Sequence, residues 1–386
     1  VNEMFDKEML EFSSGSGAYD LIMFNPAWMG DYVDFLTPLD DYMAKMDPAW
    51  DDIHPGFREW ANTYGGKRYT IQLDGDVILG YYRKDLFDDP KEKEAFKAKY
   101  GYDLAPPANW DQVLDIQAFF TRDTNGDGAA DMWVYADQPQ RGRSFYWFLL
   151  RYLAYAGDNP QYFDPATMEP KINSPEAVAA LENYIKAVKS GPTGVLGWEW
   201  DELINAFLGG QVAMIFHWPD EGKRGEQLAK NVPGGTMGFF LPPKRSMAFG
   251  GWVMGVSKDS KNPEAAYATM RMLLAPDISL EMVTNPDSGQ DFFRLSHFNS
   301  EAVKKAVPPE YLTAYNASIA QLFPELRIPG GFEYYDFLDV QVQKALAGEA
   351  SAKDALDEAA RQWNAITDRL GRDKQLAKYQ AAMGAK

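Results

Sequence analysis

The amino-acid sequence predicts an α/β protein with mixed, mostly parallel sheets and helices on their flanks. Short apolar segments rich in β-branched and aromatic residues alternate with longer segments at helical spacing, which is typical of α/β architecture. The chain has 386 residues, and domains usually have about 100–200. We therefore expect two or three domain-sized units.

Four extended segments are predicted from their apolar content and their flanking glycine, proline and polar residues. They cover residues 18–24, 68–82, 211–216 and 250–257. The second contains Asp74-Gly75-Asp76. Two acids and a glycine are costly inside a buried strand, so we expect this segment to pass through a cleft.

Helices are predicted between these strands from the spacing of apolar residues and from helix-start patterns. Ser174-Pro175-Glu176, Asn262-Pro263-Glu264 and Ser351 with Asp354 each have the composition of a helix start. The predicted helices cover residues 34–46, 109–120, 145–155, 174–190, 202–208 and 262–274, and a final one follows Ser351.

Composition and charge exclude several classes of function. The formal net charge is −18, which disfavours nucleic acids and anionic membrane surfaces because both require clustered basic residues. There is no cysteine, so disulfides and thiolate metal sites are excluded. The longest apolar run, residues 145–150, is far shorter than the roughly 20 residues of a membrane-spanning helix. No signal peptide is recognisable, and we expect a processed or trimmed N terminus.

Six segments, in the expected order, resemble the extracellular (periplasmic) solute-binding proteins of sugar-type ABC importers, family 1, which are similar to maltose-binding protein. The segments are AYDLIMFNPAWMGDYVDFLTPLDDYM (18–43), GGKRYTIQLDGDVILGYYRKDLF (65–87), NWDQVLDIQAFFTRDTNGDGAADMWVY (109–135), FLGGQVAMIFHW (207–218), FGGWVMGVSKDSKNPEAAYATMRML (249–273) and GEASAKDALDEAARQWNAI (348–366). One departure is that the strand and helix that precede residue 18 in the family are not recognisable here.

The resemblance implies a two-lobed periplasmic-binding-protein fold, type II-like, whose lobes are joined by crossing strands and close around a ligand. We expect an N-terminal lobe of residues 1–76 and 252–288, without its leading strand, and a C-terminal lobe of residues 77–251 and 289–386. The expected hinge lies near residues 74–79, 249–254 and 288–295. The resemblance further implies a periplasmic or extracytoplasmic monomer that delivers its ligand to ABC permease subunits.

Candidate ligand-binding residues are those that interrupt apolar segments near the expected crossings or strand ends. Indole rings can stack on sugars, carboxylates can accept hydrogen bonds from hydroxyls, and glycines permit close backbone approach. The candidates are Asn25, Trp28, Asp74, Asp76, His217, Trp218, Gly250, Gly251, Trp252, Arg294, Tyr334 and Tyr335.

Several candidates have a purely structural alternative. Trp28 could pack under its loop, Asn25 could form an Asx-turn before Pro26, and Asp74 with Asp76 could flank a surface turn. Arg294 could bind a hydroxyl pair or an anionic group, or pair with an acid between the lobes. Of Tyr334 and Tyr335, we expect one to contact ligand and the other to pack.

The segment from Asp123 to Asp131 has calcium-loop spacing. Asp123, Asn125, Asp127 and Asp131 supply oxygen atoms at positions 1, 3, 5 and 9, but position 12 is Val134 instead of a bidentate Glu. A plain Asp/Asn/Gly turn without metal is therefore favoured over a calcium site. No other cofactor is expected.

These observations predict a non-catalytic receptor for a carbohydrate or polyol. Common hydrolase, nucleotide-binding and metalloprotease motifs are missing, and the three histidines lie far apart in the sequence. Two alternatives stay open: a carbohydrate-active hydrolase that uses Asp74 or Asp76, and a sensory solute-binding protein. The ligand could be a neutral sugar, an oligosaccharide, a polyol or an anionic sugar derivative.

Overall fold

The computed structural model describes residues 2–134, 137–244, 246–248, 251–285 and 288–383. Within these ranges the chain forms ten short strands and nineteen α-helices. The strands are β1 (Leu21–Phe24), β2 (Thr63–Tyr64), β3 (Lys67–Arg68), β4 (Thr70–Gln72), β5 (Leu79–Arg83), β6 (Met214–His217), β7 (Met237–Phe240), β8 (Ser246–Ala248), β9 (Val253–Val256) and β10 (Leu322–Pro324).

The helices lie between and after these strands. They are α1 (Asn2–Ser14), α2 (Met29–Tyr32), α3 (Asp40–Lys45), α4 (Pro55–Phe57), α5 (Lys84–Asp88), α6 (Pro90–Tyr100), α7 (Trp110–Phe120), α8 (Ser144–Tyr155), α9 (Pro175–Lys189), α10 (Trp200–Leu208), α11 (Gly225–Asn231), α12 (Pro263–Leu273), α13 (Pro276–Thr284), α14 (Leu295–Asn299), α15 (Glu301–Ala306), α16 (Pro309–Ala320), α17 (Gly331–Leu346), α18 (Ala352–Leu370) and α19 (Arg372–Met383). None of the helices in the described ranges combines the length and apolar character needed to span a bilayer.

Two three-stranded sheets form the framework, with strand orders β1-β9-β4 and β6-β5-β7. The α/β class is confirmed, but the expected predominance of parallel pairing is wrong for both sheets. In each sheet the central strand is antiparallel to both neighbours. Strands that alternate with helices along the chain favour parallel pairing, but β9 and β5 are each reached by a crossing from the other sheet, so that local alternation does not set their direction. The β8–β10 pair is parallel.

Helix starts follow the predicted capping chemistry. The Ser174 side chain accepts a hydrogen bond from the Ala177 N–H at the start of α9, and Ser351 accepts one from Asp354 N–H at the start of α18. Proline occupies the first helical position of α12, although the Asn262 side chain makes no capping bond there. Local sequence therefore determines where these helices begin.

The three predicted crossing segments contact one another through backbone groups. The Trp252 carbonyl accepts hydrogen bonds from the Leu73 and Asp74 N–H groups, at 2.9 and 3.1 Å. The Asp291 N–H donates to Asp74 Oδ1 at 2.7 Å. Residues 73–74, 252 and 291 are thus held together between the two sheets. The exact lobe boundaries stay a prediction.

Candidate binding cleft

A cavity of about 270 Å³ lies where the crossing segments meet. It combines carboxylates, aromatic rings and an arginine. Its lining residues are Asn25, Asp74, Asp76, Arg143, Tyr146, Trp200, Trp218, Asp220, Trp252 and Gly289. Five of these were predicted from the sequence, namely Asn25, Asp74, Asp76, Trp218 and Trp252. Their contact with a ligand stays a prediction.

A second cavity of about 380 Å³ adjoins the first, because Arg143 and Tyr146 line both. Two further candidates, Trp28 and Tyr335, line this second cavity together with residues of α1, α8 and α17. Carboxylates are present here too, since Glu199, Asp336 and Asp339 belong to the wall. The two cavities together have room for a ligand larger than a single sugar ring.

Gly251 permits the close approach of the crossing segments. Its φ is +63°, and a Cβ atom at this position would lie 2.0 Å from the Asp74 carbonyl oxygen and 3.0 Å from the Asp76 nitrogen. Only glycine tolerates both the left-handed backbone and this contact. Gly75 is similarly enclosed, because a Cβ there would lie 2.1 Å from the Phe292 carbonyl oxygen. These glycines place the Asp74 and Asp76 side chains at the cavity.

Four carboxyl groups form what we call the carboxyl cluster: Asp74, Asp76, Asp220 and Asp291. Carboxylate oxygens of Asp74, Asp76 and Asp291 lie within 4.8 Å of one another. The Asp76 and Asp291 side chains share a hydrogen bond. The Asp220 N–H donates to Asp291 Oδ2 at 3.1 Å. Asp291 thus links the acids that line the cavity.

Burial and mutual repulsion raise the pKa of every member of the carboxyl cluster. Burial is the largest cause in each case, and it brings the pKa of Asp74, Asp220 and Asp291 to about 7. Burial and the neighbouring Asp74 charge raise the pKa of Asp76 well above its usual range. The cluster therefore holds protons near neutral pH, because like charges in a buried site cannot all be ionised.

The aromatic wall is built from several elements. Trp252 precedes β9 and packs edge-to-face against Trp28, with ring centroids 6.3 Å apart. Trp218 directly follows β6 and packs edge-to-face against Trp147 at 5.8 Å. Trp200 is the first residue of α10. Apolar ring faces beside carboxylates suit a ligand with both C–H and O–H groups.

Both local alternatives for the first loop are present. The Asn25 side chain accepts a hydrogen bond from the Ala27 N–H at 2.9 Å, which is the Asx-turn before Pro26. Trp28 is only 4% exposed and packs against Phe5 and Tyr32. Both residues nevertheless contribute to cavity walls.

Gly251 contacts the crossing segments but lines neither cavity, and three further candidates, Arg294, His217 and Tyr334, also lie outside both linings. Arg294 is fully buried, and its guanidinium donates to the carbonyls of Pro48, Ala49 and Leu274, with Asp52 3.6 Å away. It therefore connects the C-terminal end of α12 to the loop between α3 and α4. The strand-like sequence around it gave no indication of this role. Of the roles considered from the sequence, pairing with an acid is the one that resembles its contact with Asp52.

The other two are His217 and Tyr334. His217 is fully buried behind the wall, with its ring 5.7 Å from the Trp200 ring, and burial lowers its pKa to about 3. Tyr334 is fully buried between α17 and α18, where its hydroxyl is 2.8 Å from Thr367 Oγ1. Successive residues of a helix point in different directions, so Tyr335 reaches the cavity and Tyr334 does not. Gly250 lies outside the described residues.

Sequence reasoning missed five residues of the first cavity: Arg143, Tyr146, Trp200, Asp220 and Gly289. It also missed Asp291. Asp220 follows the predicted Trp218 by two residues, and Asp291 lies within the predicted third crossing, so both could have been found by extending those segments. Tyr146 and Trp200 lie in α8 and α10, and Arg143 lies in the turn before α8. The position of these elements at the cleft depends on tertiary packing.

The loop from Asp123 to Asp131 has the geometry of a self-contained turn. Asp123 accepts hydrogen bonds from the N–H groups of Asn125, Gly126 and Gly128, and Asp131 accepts one from Thr124. These bonds lower the pKa of Asp123. The carboxylates thus already have backbone partners. The metal-free turn stays the favoured prediction, with a calcium site as its alternative.

The two sheets, their crossing segments and the aromatic–carboxylate cleft define a two-lobed solute-binding protein. A family model described as "Bacterial extracellular solute-binding protein" matches residues 2–278. The chain belongs to this family.

One relative is similar in sequence, and two solved structures share the fold. A protein of Sinorhizobium fredii, named as a probable amino-acid ABC transporter periplasmic-binding protein, is 24% identical over 92% of this chain and 78% of its own length. A solute-binding protein of Agrobacterium radiobacter in complex with ribitol has a TM-score of 0.77 and 21% identity, covering 95% of this chain and 89% of that one. Maltose-bound MalE3 of T. maritima has a TM-score of 0.73 and 23% identity, covering 94% and 88%.

Proposed function

We propose that this protein is the non-catalytic receptor of an ABC importer and captures a sugar or polyol in the cleft between its lobes. The observation that carries the proposal is the cavity lined by Asp74, Asp76 and Trp252 at the contact of the crossing segments. Carboxylates there can accept hydrogen bonds from ligand hydroxyls, and indole faces can cover ligand C–H groups.

The comparisons favour this ligand class over others. The two similar structures hold ribitol and maltose, both of which carry many hydroxyl groups. The Sinorhizobium relative is instead named for amino acids, but the carboxyl cluster disfavours a free α-carboxylate at this wall because like charges repel.

Hinge closure gives the receptor a way to deliver its solute to a permease. Lobes that close around a solute present a different outer surface from the open form, and a permease can recognise that difference. We infer an extracytoplasmic, periplasmic location, which the family's description as extracellular supports. We also infer that the receptor is a monomer. A net charge of −18 also favours a monomer that stays in solution.

The test is a thermal-shift screen of sugars and polyols followed by calorimetry on the compounds that raise the melting temperature, since a ligand that binds only the folded state stabilises it. Trp252→Ala should weaken the best compound by about tenfold or more, because it removes a wall of the cavity. Trp50→Ala is the matched control, since Trp50 lies outside both cavities and packs beside Arg68. Equal affinities for the two variants, or no binding by any compound, would contradict the proposal.

A carbohydrate hydrolase is the second candidate, favoured by the carboxylates within 4.8 Å of one another, a spacing near the roughly 5 Å of retaining glycosidases. Against it, Asp76 and Asp291 share a hydrogen bond and Asp74 accepts the Asp291 N–H, so these carboxyl groups contact one another instead of facing each other across a substrate. Incubation with chromogenic glycosides separates the two candidates. We expect binding without turnover, whereas release that Asp76→Asn abolishes would establish the enzyme.

A further inference from the structure

The carboxyl cluster has more acids than nearby bases. The four acids of the cluster and the adjacent Glu221 lie together. Glu221 is fully buried, Asp74 and Asp220 are 5% and 4% exposed, and Asp76 is half-buried at the cavity wall. Neither carboxylate oxygen of Glu221 has a hydrogen-bond partner within the described residues. Two basic side chains, Lys223 and Arg224, approach this group of five. Buried charges that lack counter-charges are strongly disfavoured.

The two bases are already committed to other partners. Lys223 Nζ donates to the carbonyls of Ser288 and Gln290 at 3.0 and 2.8 Å, and it lies 3.7 Å from Asp291 Oδ1. Arg224 lies between Asp220 and Glu221, 3.5 Å from each carboxylate. The ion pairs of these two bases are therefore with Asp291, Asp220 and Glu221, and not with Asp74 or Asp76.

The third base at the cavity is Arg143. Its Nε donates to Glu199 Oε1 at 3.3 Å, and its guanidinium lies over the Trp218 ring at 5.7 Å. Arg143 therefore forms its ion pair with Glu199, which is not a member of the carboxyl cluster. The cavity surface formed by Asp74, Asp76 and Asp220 keeps an excess of acidic groups.

The remaining walls of this cavity are aromatic. Trp200, Trp218 and Trp252, with Tyr146, contribute indole and phenol rings. Such rings attract organic cations through their π faces, and tryptophan does so most strongly. Two walls already attract guanidinium groups, since Arg224 lies 5.1 Å from the centre of the Trp200 ring and Arg143 lies over Trp218.

From this combination of cavity, acid excess and aromatic walls, we propose that the solute carries a protonated amine in addition to its hydroxyls, as in an amino sugar or amino alditol. The inference rests on the proposed function and specifies its ligand. The ammonium would lie against Asp74, Asp76 and Asp220, where it donates to carboxylates, while the carbon skeleton packs against the indoles.

An organic ammonium fits better than a metal ion. Calcium requires six to eight oxygen ligands and magnesium a nearly ideal octahedron. Here Asp74 Oδ1 already accepts the Asp291 N–H, and Asp291 already has Lys223 nearby. Three tryptophans in the wall would offer a metal ion no oxygen ligand.

Binding of the amine should displace protons from the cluster. The charged and titratable groups around it are Asp74, Asp76, Asp220, Glu221, Asp291, Lys223, Arg224, Arg143, His217, Tyr81, Tyr146, Tyr311 and Tyr315. Burial raises the pKa of Asp74, Asp220 and Asp291 to about 7, so these carboxyls keep part of their protons at pH 7. A nearby cation favours their ionised form, and affinity for the amine should therefore rise between pH 6 and pH 8.

The experiment compares D-glucamine with sorbitol, which has the same carbon chain with a hydroxyl in place of the amine. Calorimetry on the full chain at pH 6, 7 and 8 measures both affinities, and buffers of different ionisation enthalpy reveal proton release. We expect glucamine to bind at least about tenfold more tightly than sorbitol at pH 8, with an advantage that shrinks toward pH 6. Asp76→Asn should reduce that advantage, whereas Asp103→Asn, which removes an exposed acid outside both cavities, should not.

The outcomes separate this inference from the proposed function. If sorbitol binds as tightly as glucamine, the inference that the solute carries an amine is contradicted, and the proposed function stays intact. Binding of calcium or magnesium chloride that competes with glucamine at equal or lower concentration would also overturn it. If neither these compounds nor any sugar or polyol of the screen binds, both proposals fail.

Discussion

Two glycines decide how closely the crossing segments approach at the cleft. Gly251 has a positive φ and lies against the Asp74 carbonyl, and Gly75 lies against Phe292. The sequence indicated this region because acids, glycines and an indole interrupt apolar extended segments. The structure places Asp74, Asp76 and Trp252 in the lining of one cavity, and their contact with a ligand stays a prediction. Arg294 shows the limit of such reasoning, because a buried arginine that binds three carbonyls has the same local sequence context as one that faces a cavity.

Gly251→Ala should destabilise the protein by about 2 kcal/mol or more, because alanine disfavours the left-handed backbone and its Cβ would collide with the Asp74 carbonyl. Gly225→Ala is the matched control: no atom lies within 4 Å of its added Cβ, and we expect a change within about 0.5 kcal/mol. Urea unfolding of both variants measures the difference. A Gly251→Ala protein as stable as the control would show that the close approach is not required.

The raised pKa of Asp76 predicts a pH-dependent effect of Asp76→Asn. The folded protein holds the Asp76 proton more tightly than the unfolded chain does, so the Asp76 contribution to stability falls as pH rises above 3.8 toward its raised folded-state pKa. Asparagine does not titrate. The variant should therefore gain stability relative to the natural protein between pH 5 and pH 8.

Asp123→Asn is the control for this measurement, because backbone hydrogen bonds lower the pKa of Asp123. Asp123 is therefore ionised in both states above pH 5, and its stability difference should be constant from pH 5 to pH 8. Urea unfolding at four pH values distinguishes the two variants. A constant difference for Asp76→Asn would mean that Asp76 is ionised in the folded protein throughout this range.

Element boundaries were largely predictable because they depend on local chemistry. Residues 174–190 and 109–120 were predicted as helices, and the structure has α9 at Pro175–Lys189 and α7 at Trp110–Phe120. Strand direction was not predictable in the same way. The chain leaves the first sheet before β5 and returns to it at β9, about 170 residues later. Whether β9 runs parallel or antiparallel to β1 depends on where the chain re-enters that sheet.

Ser174→Ala tests the capping chemistry of α9. Loss of the hydroxyl leaves the Ala177 N–H without its side-chain acceptor, which should cost about 1 kcal/mol. Ser190→Ala, at the other end of the same helix, is the control. Its hydroxyl donates to the Lys186 carbonyl, which also accepts the Ser190 N–H, so its removal should cost less. Equal losses in thermal or urea unfolding would contradict the assigned cap.

At the scale of the whole molecule, the cleft combines parts that are distant in the sequence. Asp74, Trp218 and Trp252 line one cavity although up to 178 positions separate them. A family resemblance could indicate that such segments meet, and the fold of similar structures agrees with it. It could not indicate that α8 and α10 add Tyr146 and Trp200 to the wall, because helix placement depends on packing across the whole lobe.

The central claim is that the two lobes close over a solute held in this cavity. Small-angle X-ray scattering of the full chain, with and without a saturating concentration of the tightest compound from the screen, measures that closure most directly. We predict a smaller radius of gyration with the compound present. At a concentration near the dissociation constant of the natural protein, Trp252→Ala should show a smaller decrease, because its affinity is lower by about tenfold or more. Identical scattering profiles for the natural protein with and without a compound that calorimetry shows to be bound would contradict the claim.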